Sequence, residues 1–433
     1  MGNIPDSWTD TRLGNLGLIT ASGIDKKINK EEPKVKIINF TDIHKASDYI
    51  LNNKEYMVVS APYEKVVVHQ IKKGDLIYTP SSETIEDIGI SALVNEDIKN
   101  TAFSYHVLRF HFTKNISHEF KKYLSNNTLS LAQFSSKARG TTRQTLSRDD
   151  FKTLKLPLPP VQEQQQIANF LDKTTAKIDK TIEKQTKLIE LLKEKRQAVI
   201  SHAVTRGVDP NVALKDSGVE WLGEIPEHWI LTPLRYIGTF QNGISKGSEY
   251  FGHGYPFVNY GDIYKNASLP SKVEGLAKST PQDQIIYSVK KGDIFFTRTS
   301  ETIDDIGMAS TCLETLEKAI FSGFTIRFRQ LKYTLSEHFS KYYFRTGYSQ
   351  SFFEEQLNLV TRASLGQDIL KQLPTLVPPL DEQHKIANYL DKKTSKIDKL
   401  IENSYKSIKL LKEKRTALIS SAVTGKIDVR EVS

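Results

Sequence analysis

PPVQEQQQIANFLDKTTAKIDKTIEKQTKLIELLKEKRQAVISHAVT, residues 159–205, returns without a gap as PPLDEQHKIANYLDKKTSKIDKLIENSYKSIKLLKEKRTALISSAVT, residues 378–424. The copies lie 219 residues apart and match at about two-thirds of positions. Each opens PPxxEQ (Pro159, Pro160, Glu163, Gln164; Pro378, Pro379, Glu382, Gln383), closes on LLKEKR (191–196; 410–415) and stops at Ala-Val-Thr. Between these marks neither copy contains Pro or Gly, and Glu, Lys, Gln, Leu and Ile dominate, which predicts a helix. Apolar residues recur at steps of three and four: Ile167, Leu171, Ile178, Ile182, Ile189, Leu192 and Val199, then Ile386, Leu390, Ile397, Ile401, Ile408, Leu411 and Leu418. That stripe is narrow and calls for a partner helix, for which the other copy is the obvious candidate. At about 1.5 Å per residue each helix would span roughly 65 Å, a rod rather than part of a compact domain.

The segments ahead of the rods correspond more weakly. Ile4-Pro5 and Trp8 answer Ile225-Pro226 and Trp229; Asn39, Asp42 and Ile43 answer Asn259, Asp262 and Ile263; Lys72-Lys73-Gly74-Asp75 answers Lys290-Lys291-Gly292-Asp293. SETIEDIG (82–89) answers SETIDDIG (300–307). The apolar runs at Val66–Val68, Leu76–Thr79, Ile285–Tyr287 and Ile294–Thr297 read as strands of mixed α/β globules. The expected organisation is a first globule over 1–158, a central helix over 159–205, a linker over 206–224, a second globule over 225–376 and a C-terminal helix over 377–425.

Two mixed α/β globules and two long helices make an α+β chain with an approximate twofold. A symmetry that exchanges the globules also exchanges the rods, so the rods should pack as an antiparallel coiled coil between inverted globules. Inverted modules on a rigid spacer suit two half-sites of duplex DNA, whose local dyads are themselves twofold. Because the globules have diverged while the rods have not, such a target would be bipartite and asymmetric. A protein scaffold whose rods merely hold two globules apart fits the same geometry.

The totals are compatible with this. Lys and Arg number 60 against 51 Asp and Glu, a net charge of +9 that permits a nucleic-acid partner without demanding one. The single cysteine, Cys312, can form no internal disulfide, which points to a reducing cytoplasm. The start of the chain has no secretory apolar stretch, and no apolar run approaches the length of a membrane span.

Enzymatic motifs fail on inspection. Gly252-His253-Gly254 lacks the third glycine of a cofactor turn, and Pro378-Pro379 follows Val377 where a base-flipping methyltransferase loop needs Asn or Asp. Lys246-Gly247-Ser248 has the wrong order for a Walker A loop. Pro5-Asp6 with Glu32-Pro33-Lys34 imitates a magnesium nuclease, yet Pro5 belongs to the repeated IPxxW opening and the second copy has no such triplet. The ten His and one Cys show no zinc-ligand spacing. The acids of SETI(E/D)DIG would repel phosphate, and their near-identity between globules that should read different bases favours a strand and turn.

PPxxEQxxIAxxLD, LLKEKRxAxIxxAVT, the linker TRGVDPNVALKDSGVEWLGEIPEHW (205–229) and QNGISKGSEYFGHGYPFVNYGDIY (241–264) resemble the specificity subunit of type I restriction-modification systems. The resemblance covers both rods, the linker and most of the second globule, and reaches the first only through scattered anchors. It implies two target-recognition domains joined by an antiparallel helix pair, no catalysis by this chain, and recognition of double-stranded DNA. The implied partners are two modification subunits, adenine methyltransferases using S-adenosylmethionine, and restriction subunits with translocase and nuclease activity that use ATP and Mg. A specificity subunit of a simpler restriction-modification enzyme that cuts near its site is the nearest alternative.

Base reading needs Arg, Lys, Asn, Gln, Ser or Thr on loops. The densest stretch is Lys137–Thr145, from which Arg139, Thr141, Thr142, Arg143 and Gln144 are candidates, with Arg362 and Ser364 as counterparts. Ser81, ahead of SETI, and its counterparts Arg298 and Thr299 are further candidates. Lys26 and Lys27 in the first globule and Gln241, Asn242, Ser245 and Lys246 in the second complete the set, all chosen on residue chemistry. Asn39 and Asn259 share a paired position and read as scaffold.

Overall fold

The structure, a computed structural model, describes residues 4–300, 302, 305–357 and 363–429. Two helices dominate it, Val161–Arg206 and Leu380–Val423. Each follows its Pro-Pro directly, with Gln164 N–H bonded to Pro160 O and Gln383 N–H to Pro379 O. Each ends in a glycine at positive φ, Gly207 (79°) and Gly425 (73°), the left-handed conformation that turns a chain out of a helix.

The chain divides into two compact units, one of Met1–Thr186 with Tyr405–Ser433, the other Lys187–Ser404. Each therefore holds one globule and a segment of both helices. In the first unit Ile167, Ala168 and Leu171, early in one helix, share a core with Ile419, Ala422 and Val423, late in the other. The second unit pairs Ile200, Ala203 and Val204 with Ile386 and Leu390. Within each unit the two segments run antiparallel. The seam residues Ile167, Leu171, Ile178, Ile189, Leu192, Ile386, Leu390 and Ile397 are buried. Ile182, Val199, Ile401, Ile408, Leu411 and Leu418 are half-covered, the limit of what a two-helix stripe encloses.

Register within each unit is marked by a repeated ion pair. Arg196 Nε lies 2.8 Å from Asp398 Oδ1 in the second unit, and Arg415 Nε lies 3.0 Å from Asp179 Oδ1 in the first. The same two repeat positions supply both pairs. Arg415 also reaches Asp48 of the globule at 2.9 Å. Asp48 is in addition partnered by Lys122, which lies 2.9 Å from Asp172.

The globules are built alike. The first has a five-stranded sheet in the order Gly17–Thr20, Leu108–Phe112, Leu76–Tyr78, Ser91–Val94 and Ile50–Leu51. The second has four strands, Gly238–Asn242, Thr325–Gln330, Ile294–Thr297 and Ala309–Thr311. A three-stranded sheet accompanies each, with Lys34–Ile38 central in one and Phe251–Val258 in the other, parallel to Thr101–Phe103 and Ile320–Phe321. The opening strand of each globule pairs with the strand before its helix: Thr9–Arg12 with Lys155–Leu158, and Ile230–Pro233 with Pro374–Val377.

The repeated motifs attach globule to helix. Gln164 and Gln383 are buried amides; Oε1 accepts Ser117 N–H at 2.9 Å in one unit and Ser336 N–H at 2.6 Å in the other. Asp172 accepts from Tyr123, and Asp391 from Lys341 (2.7 Å) and Tyr342 (2.6 Å). Asp391 is held below the usual carboxylate range because its hydrogen bonds from Lys341 and Tyr342 outweigh the opposing effect of burial. Pro5 and Trp8 lie against Gly425, and Trp229 against Gly207. Lys-Gly-Asp makes the same turn twice, Asp75 accepting Lys72 N–H and Asp293 accepting Lys290 N–H, with Gly74 and Gly292 at positive φ.

Two expected strands are helices. Val66–Val68 lie in helix Tyr63–His69, and Ile285 and Ile286 end helix Pro281–Ile286. Thr280 caps the latter with a box to Asp283 and Pro281 opens it, a start signal that overrides the β-branched run. Val67, Val68 and Ile285 are 55%, 64% and 70% exposed, so no sheet core draws them in. Leu76–Tyr78 and Ile294–Thr297 are buried inner strands.

Arg415→Ala should destabilise the first unit by about 1–3 kcal/mol, because the half-buried Asp48 loses the largely covered cation that it shares with Asp179. Arg196→Ala, whose pair is exposed, should cost under about 1 kcal/mol. Urea unfolding of the two variants checks the difference, and equal losses would contradict it.

Candidate nucleic-acid interface

In the first globule, strand Thr101–Phe103 passes into Leu108–Phe112 through a turn closed by Val107 N–H to Ser104 O (3.2 Å). Ser104 Oγ accepts His106 N–H at 3.4 Å, and Tyr105 N–H donates to Ile24 O at 3.0 Å, tying the turn to the loop that carries Lys26 and Lys27. Lys26 and Lys27 are exposed, and Lys27 lies 3.4 Å from Asp25.

Beside it stands a hairpin in which Arg139 and Thr145 exchange backbone hydrogen bonds of 3.1 and 2.8 Å. Gly140 has φ 118°, and a Cβ there would fall 2.1 Å from Arg143 O, so the bend needs glycine. Gln144 Nε2 donates to Gly140 O, and the Arg139 guanidinium makes two 3.4 Å contacts to the Asp150 carboxylate. Thr141, Thr142 and Arg143 are left exposed at the tip. Gln144–Thr145 pairs with Ser81–Ser82, so two stretches far apart in sequence meet as strands. The His106 imidazole is pushed down by partial burial and then by the charges of Lys26 and Arg143, so both cations lie near its ring.

The second globule repeats this frame. Thr325 N–H bonds to Ser322 O, Phe324 N–H to Ser322 Oγ, and Gly323 N–H to Ile244 O. Ile244 therefore stands where Ile24 stands, and Lys246 where Lys26 does. A Cβ on Gly323 would lie 2.1 Å from Ser245 Oγ. Thr299 pairs with Ser364, and Leu365 N–H donates to Arg298 O as Leu146 N–H does to Pro80 O.

The structure gathers the candidates into these clusters and already employs several. Arg298 Nη1 donates to Gly323 O, Asn242 Oδ1 accepts from Gln367, Gln241 donates to Asn242 O, and Lys246 lies 3.5 Å from Asp283. Ser81 and Thr299 are half-exposed and Ser364 is exposed. Arg362 lies outside the described residues. Asn39 and Asn259 are helix N-caps with capping boxes.

Sequence reading missed His106 and Phe324, which hold equivalent places at the turn tips. The signal was present, since Phe103-Ser104 and Phe321-Ser322 are a shared pair that locates both turns. Tyr260 and Tyr264 were missed as well; they line a recess with Thr299, Ser300, Thr302, Asp305 and Phe324.

The SETI segments serve the frame. Gly89 (φ 79°) and Gly307 (φ 66°) are each positioned so that a Cβ would come within 2.3 Å of Phe134 or Phe353. Thr84 donates to Asp87 and Thr302 to Asp305. Glu32, from the nuclease-like triplet, accepts from Ser60. Burial pushes the Cys312 thiol up to about 12, which suppresses its thiolate. Among the described residues no group of three or more His, Cys, Asp or Glu is placed to hold a metal, and no helix is long and apolar enough to cross a membrane.

Residues 5–191 and 236–410 match the type I restriction modification DNA specificity domain. The MjaVIII specificity subunit of a type I restriction enzyme from Methanocaldococcus jannaschii is 24% identical over 299 residues, 69% of this chain and 68% of that one. Two solved structures share the fold. The HsdS subunit from Thermoanaerobacter tengcongensis covers 98% of both chains at 17% identity and a TM-score of 0.58. A chain from work on complex assembly and conformational transition of the type I R-M system covers 98% of this chain and 100% of its own, at 16% identity and a TM-score of 0.73. The chain belongs to the type I restriction modification DNA specificity domain family. It is the DNA specificity subunit of a type I restriction-modification complex and is not itself catalytic.

Gly140→Ala should open the hairpin, because both the positive φ and the 2.1 Å approach are lost to a methyl group. Hydrogen exchange should then speed up at the Arg139 and Thr145 amides and stay unchanged in the helix Val161–Arg206.

Proposed function

We propose that each globule reads one part of a bipartite, asymmetric site in double-stranded DNA. The carrying observation is that both globules build one loop frame and dress it differently. Lys26 and Lys246 hold the same place in their globules, while Arg298 takes the place of Pro80, Ser364 that of Thr145 and Phe324 that of His106. A shared cation suits the phosphate backbone, which is the same at every site, and the changed groups suit base edges, which are not. In this reading Lys26, Lys27, Arg143, Lys246 and Arg362 neutralise phosphates. Ser81, Thr141, Thr142, Gln241, Ser245, Thr299 and Ser364 face bases. Arg139, Gln144, Asn242 and Arg298, engaged within the protein, set the loops.

The partners are two modification subunits, adenine methyltransferases using S-adenosylmethionine, docked on the paired helices, and restriction subunits using ATP and Mg. The work on type I complex assembly that yielded the similar fold supports this, as does the repetition of the helices, which offers one surface twice. The assembly acts in the cytoplasm, where one buried cysteine stays reduced.

Mapping modified adenines across the host genome with and without this gene tests the reading. A two-part asymmetric motif should vanish with the gene, and an unchanged pattern refutes the proposal. Arg143→Ala in the assembled complex should lower the slope of log affinity against log salt by about one. Residues 1–207 carry Asp179 and Arg196 together, and Ile200, Ala203 and Val204 answer Ile419, Ala422 and Val423. Two copies of that fragment should dimerise and direct methylation to a palindrome, which sedimentation and sequencing would detect.

A further inference from the structure

The turns Ser104–Val107 and Ser322–Thr325 are equivalent bond for bond. Ser104 N–H donates to Ile38 O at 3.0 Å and Ser322 N–H to Val258 O at 2.9 Å; Tyr105 N–H reaches Ile24 O at 3.0 Å and Gly323 N–H reaches Ile244 O at 2.8 Å. The seryl hydroxyls accept His106 N–H at 3.4 Å and Phe324 N–H at 3.3 Å. One backbone therefore delivers two unlike side chains to corresponding places, each among candidate DNA contacts. A fixed frame with a changed tip is what separates one specificity from another.

Phe324 is 65% exposed. Single exposed apolar residues are common on protein surfaces, so exposure alone means little. What sets this one apart is its support. Arg298 donates its backbone N–H to Phe324 O at 3.0 Å and Nη1 to Gly323 O at 3.1 Å, both additional to the bonds shared with the first globule. Pro80, in the equivalent place, has no N–H to give. The extra bracing holds a hydrophobic ring out in water beside Thr299 and the Tyr260–Tyr264 recess.

We propose that Phe324 and His106 are specificity-determining residues for the two halves of the target: Phe324 by packing on the 5-methyl of a thymine, His106 by hydrogen bonding to a base edge. Apolar contact with that methyl is one of the few ways a side chain without polar atoms distinguishes a base pair in the major groove, and it depends on fit rather than direction. Bracing supplies the fit. Imidazole offers a donor and an acceptor instead, with the charges of Lys26 and Arg143 acting on it. The inference rests on the DNA-reading function proposed above and names residues within it.

The test uses the full chain assembled with its modification subunits and the motif obtained from the genome map. Thymines of each half-site are replaced one at a time by uracil, which lacks only the methyl, and methylation rates are compared for wild type, Phe324→Ala, Phe324→Leu and His106→Ala. Wild type should lose about tenfold at one thymine of one half-site. Phe324→Ala should show a similar loss on the natural site and no further loss with uracil there, and Phe324→Leu should fall between. His106→Ala should relax one base pair of the other half-site and leave that thymine's methyl effect intact. Normal assembly of the variants excludes misfolding as the cause. Unchanged thymine-to-uracil ratios in Phe324→Ala, or a rate loss uniform across sequences, overturns the inference. Absence of any bipartite motif in wild type would instead refute the function on which it rests.

Discussion

An Arg–Asp pair, made from the same two repeat positions in each unit, sets where one helix segment stands against the other. A stripe of Ile and Leu at steps of three and four packs nearly as well one turn out of place, so apolar contact alone leaves register open. Arg196 with Asp398, and Arg415 with Asp179, favour one alignment, because a displaced helix breaks both pairs. The exposed Arg196 pair contributes little energy and the more covered Arg415 more, but in both units the pair also carries direction. Around Arg415 the constraint reaches into the globule through Asp48, whose carboxylate also takes Lys122.

Each globule is fastened to the helix that follows it by buried polar contacts. Gln164 and Gln383 are buried amides with fixed backbone partners, and loss of either would leave the Ser117 or Ser336 N–H without that hydrogen bond. Asp172 and Asp391 stand two turns further along and hold Tyr123 and Tyr342. The letters that recur in both helices thus include the polar groups that enter a core, Gln164 with Gln383 and Asp172 with Asp391, together with the apolar seam itself, which is identical at every position but Val199 and Leu418.

The large architecture was legible because helices announce themselves over long stretches: caps, absence of Pro and Gly, and a periodic seam. Val66–Val68 and Ile285–Ile286 were misread as strands because a short β-branched run carries no period, and the Thr280-Pro281 start signal decides the second case. At the candidate interface, residue chemistry picked out loops that do come together, Ser81 with Thr145 and Thr299 with Ser364. It could not tell a free side chain from one engaged inside the protein, as Arg139 is with Asp150 and Arg298 with Gly323, since those bonds join residues by tertiary folding. His106 and Phe324 escaped because they are unlike each other, and only the short Phe-Ser pair before them marks the equivalence of their turns.

The attachment points have a consequence at the level of the gene. Several contacts that seat a globule use groups present in both copies: the Trp at its opening, the Gln and Asp of the following helix, the glycine where the returning helix ends. A crossover between the two repeated stretches, or with the same stretches of a related gene, would carry a whole globule into a new context with its sockets already matched. Variation in such a lineage would proceed by exchange of intact readers, with no intermediate that folds poorly, and new half-sites would be acquired in one step.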